Sequence, residues 1–408
     1  MAKLGLTEKK AVEKLRNELA DVLLPAWDDD FNLLRWLKGH DFDHEQVVPK
    51  LRNHLKLRKL WNLDHITSRT AEVCHPVVKE YYPFGLFGSN GIEGDNRLIF
   101  LEAIGQTDID GIAKSASHTN FFKTRLHDME LIVEKVRRFE KETGRQWSVL
   151  FIMDLEGIDD KLLSNLVSVA TGPFKIFSRF MTENYVEVFA QFVVINAPSF
   201  VYYLWHLIRP LLPKKTSSKV EILSTGNWKQ EMRRFASPHS LPVYWGGTML
   251  GGADNTDPRC PELVVMPKPV PQSLYYRGGE GGWPTTAPPP TCLQVAAGGT
   301  EWVNIRVDRP ASDLRWTFLC RGDYSFGVYY TAAPASKEKE ESCQQNNGEE
   351  EAEEDGELVY PFFPHFTETL VPEIDQIRCD RPGIYKLRFG NEHSWFSTLT
   401  VEYAVEVL

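Results

Sequence analysis

Residues 188–208 read VFAQFVVINAPSFVYYLWHLI and contain no Asp, Glu, Lys or Arg. An apolar run of about 20 residues is long enough to cross a bilayer as a helix. Here Pro198 interrupts regular structure, so a single continuous helix is disfavoured. We therefore predict a buried strand over 191–196, a turn at 197–199 and an aromatic helix that begins near Phe200.

A basic segment follows this run and contains Arg209, Lys214, Lys215 and Lys219. Such cations attract anionic lipid headgroups, each contributing roughly 1 kcal/mol near a membrane surface. The helix before them carries aromatic rings on more than one face, which a helix packed on one side does not need. Two interpretations stay open: a fully buried core helix, or a helix with one face on a sheet and the other toward a cavity or membrane.

The candidate residues for contacting a lipid lie in this helix, in the strand before it and in an aromatic cluster upstream. Tyr203 and Trp205 suit an interface because each joins an apolar ring to a polar group. The candidates are Phe174, Phe177, Phe180, Ile195, Phe200, Tyr202, Tyr203, Trp205, Leu207 and Ile208.

Composition places the chain among globular proteins. It has 408 residues, of which 42% are hydrophobic, so two or three domains with packed cores are expected. The net charge is −10, but residues 337–357 hold ten acidic and two basic residues. This concentration predicts a disordered acidic loop and leaves room for a basic surface elsewhere. The first residues form no apolar signal segment, so we expect a cytoplasmic protein with free thiols.

Hydrophobic periodicity predicts three regions along the chain. The first 60 residues read as short helices, with caps expected at Thr7, Asp28–Asp30 and Asp43. Strands then alternate with helices such as Asn120–Thr143, which is typical of an α/β layer. The predicted strands of this layer are 97–103, 147–153, 192–195 and 220–223. The strand 147–153 is continuously apolar, which predicts that both of its faces are covered.

The last region differs in period. A stretch rich in Gly and Pro, residues 251–285, reads as a linker. Beyond it apolar residues alternate with period two, as in Leu314-Arg-Trp316-Thr-Phe318, and turn residues separate the runs. This pattern predicts a β-sandwich.

An enzyme is a weaker hypothesis. Asp154 and Glu156 directly follow a predicted parallel strand, where ligand crevices often form. Asp and Gly at such a position are also ordinary turn residues, and no reactive partner is placed beside them by sequence. No close Cys pair or His pair indicates a metal site, and basic residues form no stripe suited to nucleic acid. We expect no catalytic residue, no metal and no cofactor other than a bound lipid.

Several segments together resemble the CRAL-TRIO (Sec-fourteen-like) lipid-binding family. They are Asp29-DFNLLRWLKGHDFD, Tyr82-PFGLFGSNGIEGDNRLIFLEAIG, Asp154-LEG and the run from Tyr185 to Met249. Segments of the last 120 or so residues, such as Pro382-GIYKLRF, resemble a GOLD β-sandwich. The implied fold is multidomain: an N-terminal helical bundle (1–72), an α/β CRAL-TRIO domain (73–250), the linker (251–285) and an all-β, jelly-roll-like GOLD domain (286–408).

The resemblance implies a pocket for one hydrophobic molecule, closed by a gate over about Ser199–Lys215. Glu187 and Lys219 match positions that phosphatidylinositol-binding members use around the headgroup. Those members also carry a basic pair where this chain has His40 and Asp41, and Asp41 would repel a phosphate. A neutral isoprenoid, tocopherol-like or squalene-like, is therefore favoured over a phospholipid.

We expect a monomer that is cytoplasmic and peripheral at membranes, such as the Golgi or the endoplasmic reticulum, and that binds no nucleic acid. The headgroup or membrane-docking candidates are Glu187, Arg209, Lys214, Lys215 and Lys219. The alternative is a lipid-regulated scaffold in membrane trafficking, which recruits protein partners through the GOLD domain.

Overall fold

A computed structural model describes residues 4–158, 173–211, 214–223, 226–332, 356–365 and 369–408, with backbone only for 173–178 and 211. The predicted acidic loop 337–357 lies outside the described residues except for its last two positions. Contacts between residues divide the chain into two compact units. The first unit contains Met1–Ile112 and Asn120–Tyr275; the second contains Ala113–Thr119 and Tyr276–Leu408. The boundaries predicted for individual domains stay predictions.

The described helices lie mainly in the first half of the chain, as the periodicity predicted. They are α1 Leu6–Glu18, α2 Asp30–Gly39, α3 His44–Trp61, α4 Thr70–Val73, α5 Pro76–Tyr81, α6 Ile109–Ala113, α7 His118–Thr143, α8 Pro173–Asn184, α9 Ser199–Ile208, α10 Lys214–Ser217 and α11 Trp228–Glu231. Within the described residues, no helix combines the length and the apolar composition that crossing a bilayer requires.

Helix starts agree with the predicted caps at two of three positions. The carboxylates of Asp29 and Asp43 each accept two backbone N–H groups at the starts of α2 and α3. Thr7 is not a cap, because α1 begins one residue earlier at Leu6. There the Glu8 carboxylate accepts the N–H of Gly5 at 3.0 Å.

The described strands form one sheet in the first unit and two in the second. They are β1 Phe84–Ser89, β2 Arg97–Glu102, β3 Ser148–Asp154, β4 Phe189–Ile195, β5 Val220–Ile222, β6 Val264–Val265, β7 Thr291–Val295, β8 Thr300–Val307, β9 Ser312–Cys320, β10 Tyr324–Thr331, β11 Glu357–His365, β12 Glu373–Cys379, β13 Gly383–Gly390 and β14 Leu399–Val407.

The sheet of the first unit has the order β5-β4-β3-β2-β1-β6. Strands β2 to β5 run parallel, and β1 and β6 continue the sheet antiparallel. The predicted α/β layer is therefore confirmed. The stretch predicted as a linker supplies β6, whose Val264 and Val265 pair with Gly85 and Phe84. This stretch is thus part of the sheet as well as a connection.

Buried ion pairs join the N-terminal helices α2 and α3 to helix α7. Arg58 on α3 donates to both carboxylate oxygens of Glu130 on α7, at 2.8 and 3.0 Å. The Tyr185 hydroxyl donates to the same carboxylate at 2.9 Å, and Arg35 pairs with the buried Glu140. Removing one partner of a buried pair leaves an uncompensated charge, so these pairs favour one arrangement of α2 and α3 against α7.

The second unit consists of two four-stranded antiparallel sheets with the orders β11-β10-β13-β8 and β12-β9-β14-β7. Its core contains the predicted alternating residues Leu314, Trp316 and Phe318, together with Phe326 and Phe389 from the other sheet. The predicted all-β region is confirmed.

Candidate functional site

The two faces of the first unit's sheet are buried to different extents. On one face Leu150 and Ile152 of β3 pack with Val193 and Ile195 of β4 in a fully buried core. On the other face the neighbouring β3 residues Phe151 and Met153 stay partly exposed. The two faces of β3 therefore differ in burial toward its carboxyl end, and the prediction that both faces are covered stays a prediction.

Phenylalanine rings cover this second face. Register places Phe100 of β2 beside Phe151 of β3, and Phe151 beside Phe192 of β4. Ring centroids are 4.7 Å apart for Phe100 and Phe151, and 5.8 Å apart for Phe151 and Phe192. Phe189 lies 5.7 Å from Phe192. We call the surface formed by Phe151, Met153, Phe189 and Phe192 the Phe face.

The Phe face continues onto the edge strand β5, where Val220 and Ile222 are partly buried. Val220 pairs with Phe192, and Ile222 pairs with Val194. Apolar side chains that are still partly exposed gain free energy when another apolar group covers them and removes them from water. This surface can therefore receive an apolar ligand or an apolar helix.

Helix α9, which we call the aromatic helix, contacts this end of the sheet through one side. Val201 and Tyr202 pack against the buried cluster of Leu155, Val194 and Ala197, which Met153, Val220 and Ile222 of the sheet also contact. The Tyr202 hydroxyl donates to the carbonyl oxygen of Leu223 at 2.9 Å, which attaches the helix to the end of β5.

No residue of the aromatic helix is buried, although the helix contains no charged side chain. Tyr203 and Leu207 are 73% and 72% exposed. They are four residues apart and therefore share one helical face. The alternative of a fully buried core helix is thus excluded. The helix has one side on the sheet and an apolar side exposed.

Two lysines near this helix are already paired. Lys219 Nζ lies 3.0 and 3.1 Å from the two carboxylate oxygens of Glu187, and 3.2 Å from the carbonyl oxygen of Phe189. Lys215 Nζ lies 2.6 Å from Asp41 Oδ1. In the described part of the chain, no carboxylate pairs with Arg209 or Lys214, and both are exposed.

Glu187 is positioned by an unusual backbone. Its φ is 54°, in the left-handed region that most residues avoid. The preceding Val186 points at Gly39, where an added Cβ would lie 2.2 Å from Val186 Cγ1. Only glycine at position 39 admits this approach. The valine thus fills a contact with α2, while the carboxylate of Glu187 reaches Lys219.

Among the predicted pocket residues that the structure describes, Phe180 and Tyr202 lie in clusters that include members of the Phe face, and Ile195 does not. Phe180 packs in the same core as Phe151 and Phe189. Ile195 lies on the opposite face of the sheet, fully buried, so it is not part of this surface. The side chains of Phe174 and Phe177 lie outside the described residues. Phe200, Trp205 and Ile208 are partly exposed on the aromatic helix.

Sequence reasoning missed Phe151, Met153, Phe189 and Phe192. Periodicity alone did not separate them from core residues, since every position of β3 before Asp154 except Ser148 is apolar. The sequence did contain one signal. Phe151 and Met153 alternate with Leu150 and Ile152, so the aromatic and unbranched side chains project from one face of the strand and the branched ones from the other.

The residues of the enzyme hypothesis hold the fold together. Asp154 is buried and accepts hydrogen bonds from Glu156 N at 3.0 Å, Asn196 Nδ2 at 2.8 Å and Trp245 Nε1 at 2.9 Å. Glu156 accepts the hydroxyl of Tyr244. In the described ranges no group of His, Cys, Asp or Glu side chains could hold a metal ion.

Known proteins resemble this chain along most of its length. The profile of the CRAL/TRIO domain matches residues 84–247. A profile described as an F28H7_8_C-like C-terminal domain matches 290–408, and a domain of unknown function matches 4–66. The CRAL-TRIO domain-containing protein F28H7.8 of Caenorhabditis elegans is 28% identical over 402 residues, covering 97% of this chain and 89% of that protein.

A plant protein and a solved structure extend the comparison. The phosphatidylinositol/phosphatidylcholine transfer protein SFH9 of Arabidopsis thaliana is 27% identical over 248 residues, 59% of this chain and 41% of that protein. The crystal structure of Sfh5 shares the fold, with a TM-score of 0.50 and 15% identity, covering 66% of this chain and 95% of that one. The resemblance seen in the sequence is confirmed for residues 84–247, which match the CRAL/TRIO domain, whereas the GOLD resemblance of the last region stays a prediction.

Proposed function

We propose that this chain is a carrier or sensor that binds one hydrophobic lipid on the Phe face and exchanges it at membranes. The observation that carries this proposal is the aromatic helix: an uncharged helix, packed on the sheet through Val201 and Tyr202, whose opposite side exposes Tyr203 and Leu207. Such a helix can move from the Phe face into a bilayer surface and remain in apolar contact. It is the gate of the proposed site.

Thermodynamics explains why a gate would open at a membrane. A buried CH₂ group is worth about 0.8 kcal/mol, so a ligand with about 15 buried carbons loses on the order of 12 kcal/mol on entering water. Desorption through water is therefore slow. Transfer between a bilayer and an apolar pocket avoids this loss, because both environments are apolar.

The charges around the site favour an uncharged ligand. Lys219 is neutralised by Glu187, and Lys215 by Asp41, so neither lysine offers an unshared cation to a phosphate. Three of the four side chains that form the Phe face are phenylalanine rings, which carry no charge. We propose a neutral isoprenoid, tocopherol-like or squalene-like, as the ligand. A phospholipid is the second candidate, supported by the name of SFH9, a phosphatidylinositol/phosphatidylcholine transfer protein.

Docking is assigned to the cations that lack partners in the described chain. Arg209 directly follows the aromatic helix, and Lys214 begins α10. Each exposed cation contributes roughly 1 kcal/mol next to an anionic membrane. We propose that these two residues hold the chain on a membrane surface while the gate is open. We also propose that the protein is a cytoplasmic monomer, peripheral at membranes such as the Golgi or the endoplasmic reticulum.

A scaffold function in membrane trafficking is the alternative, in which the second unit recruits proteins and the lipid is regulatory. The two-sheet architecture of the second unit supports our proposal that it is a GOLD-type domain. We propose no catalytic function. The Asp154 carboxylate already accepts three internal hydrogen bonds, so Asp154→Asn should weaken the fold while leaving lipid transfer per folded molecule unchanged.

Lipid loading from vesicles tests the proposal. The chain is incubated with vesicles containing tocopherol, squalene or phosphatidylinositol, separated from them, and its bound lipid is extracted and quantified. We expect loading by a neutral isoprenoid, and loss of loading in Phe192→Asp, which places a charge on the Phe face. Val22→Asp, at an exposed apolar position of the first unit, is the matched control. Equal loading of both variants would contradict the site.

A further inference from the structure

The second unit exposes two adjacent aromatic side chains at the tip of one loop. Trp395 is 86% exposed and Phe396 is 95% exposed, in the loop that joins β13 to β14. Single exposed apolar residues are ordinary on protein surfaces. Two large neighbouring rings that both contact water almost completely are not, and they indicate a surface that is covered in function.

The loop is held rigidly beneath the two rings. The buried Asn391 side chain places Nδ2 at 3.1 Å from Val295 O, 3.2 Å from Ala296 O and 2.8 Å from Ser397 O. Ser394 Oγ donates to Ser397 O at 2.8 Å and accepts from Ser397 N at 3.0 Å. Trp395 and Phe396 therefore occupy the centre of a turn that these hydrogen bonds close.

The tip is also free of charge. The adjacent loop 296–299 reads Ala-Ala-Gly-Gly and is joined to the first by Gly298 N to Asn391 O at 3.1 Å, while positions 394–398 contain only Ser, Thr and the two aromatic residues. The carboxylate of Glu392, at the base, is directed back to Ser325 and Arg388. His393, at the base, interacts electrostatically with Asp323. Positions 394–398 therefore carry no charge whose hydration would be lost on entering an apolar medium.

We propose that the Trp395–Phe396 tip is a second membrane anchor, which inserts into the interfacial layer of a bilayer. Trp suits this layer because its ring is apolar and its N–H reaches polar headgroups. A convex tip needs no complementary groove in a fluid bilayer. Because the tip has no cation, insertion requires no anionic lipid, unlike the docking proposed for Arg209 and Lys214. This anchor goes beyond the proposed carrier function and does not depend on a lipid being carried.

Fluorescence on the full chain tests the anchor directly. The probe is vesicles of phosphatidylcholine whose acyl chains are brominated near the headgroup, so that inserted indoles are quenched. The chain has 11 Trp residues, so Trp395→Phe identifies the contribution of this ring. We expect quenching in the parent chain that is reduced in Trp395→Phe. Equal quenching in both, or no binding of the parent to these vesicles, would overturn the anchor, and the latter would favour a protein pocket as the occupant.

Vesicle affinity gives the second readout. Replacing both rings, Trp395→Ser with Phe396→Ser, should weaken binding to phosphatidylcholine vesicles by at least about tenfold. Leu408→Ser changes another exposed apolar residue at the far end of β14 and should leave binding unchanged. The lipid content of the purified chain should be the same in all three, which separates this anchor from the pocket. Equal affinities would contradict the proposal.

Discussion

Lys219 and Glu187 form a partly buried ion pair at the start of β5 and β4, with Nζ to oxygen distances of 3.0 and 3.1 Å. The resemblance seen in the sequence predicts that both residues match headgroup-binding positions, and this stays a prediction. In this chain the two side chains pair with each other. A ligand that carries a phosphate would have to compete with Glu187 for the lysine.

Glu187→Gln should therefore increase loading with phosphatidylinositol. The substitution keeps the size of the side chain and removes its charge, which leaves the Lys219 cation available. Partly exposed pairs are worth up to about 1 kcal/mol, so roughly a fivefold rise is expected in lipid extracted after incubation with vesicles. Glu221→Gln removes a carboxylate from another ion pair, with Arg234, and should change nothing. Equal phosphatidylinositol loading of Glu187→Gln and Glu221→Gln would contradict the claim that Glu187 neutralises Lys219.

Lys214→Glu should slow lipid transfer between anionic vesicles. Reversal replaces an attractive charge by a repulsive one, so about a tenfold decrease is expected at low salt, and the difference should shrink as salt screens it. Transfer of a fluorescent lipid between vesicles measures this rate. Lys56→Glu, an exposed lysine on α3, is the control. Equal rates in the two variants would remove Lys214 from the docking surface.

Tyr203→Ser combined with Leu207→Ser should slow transfer without changing stability. Both side chains are exposed, so the melting temperature should be unaffected. The apolar face that meets the bilayer is lost, and a decrease of at least about tenfold in transfer rate is expected. Tyr203→Phe preserves that face and should transfer at the parent rate. If the double variant transfers normally, the aromatic helix is not the gate.

The free energy of unfolding of the first unit should decrease as the pH is lowered below 6.5, and His54 is the expected cause. Burial, reinforced by the neighbouring Arg58 cation, lowers the pKa of His54 from 6.5 to about 3. The side chain is otherwise faced by Asn184, which is 3.1 Å from Nδ1, and by the rings of Trp27 and Trp36.

The folded state therefore prefers neutral His54, whereas the unfolded chain takes up a proton near pH 6.5. This contribution is complete above pH 6.5 and is lost as pH falls toward 3, at about 1.4 kcal/mol per pH unit. Melting temperatures between pH 7 and 5 measure it. His54→Gln should show a shallower decrease with falling pH. Parallel curves for the two proteins would exclude His54 as the cause.

Local patterns predicted much of the fold because the decisive residues are close in sequence. Asp29 and Asp43 cap the helices that directly follow them, and alternation in Leu314–Phe318 marks a strand with one core face. The resemblance of the run from Tyr185 to Met249 identified the CRAL/TRIO domain for the same reason. Thr7 failed as a cap because Gly5, two residues earlier, is the N-cap residue and its N–H is accepted by Glu8.

The site was less predictable because its relationships span the fold. Lys215 and Asp41 are 174 positions apart, and Arg58 and Glu130 are 72 apart, so no periodicity reveals that either pair forms. By sequence Phe151 looks like a core residue; only the structure shows that it is partly exposed. Ile195 was assigned to the pocket because its strand precedes the aromatic helix, but register places it on the other face of the sheet.

The most direct test of the carrier function is native mass spectrometry of the full chain after purification, followed by extraction and identification of what is bound. We predict one hydrophobic lipid per chain, neutral and isoprenoid in type, which exchanges when vesicles are added. A chain that has the mass of the protein alone, and that takes up no lipid from vesicles, would contradict the proposal and favour a scaffold.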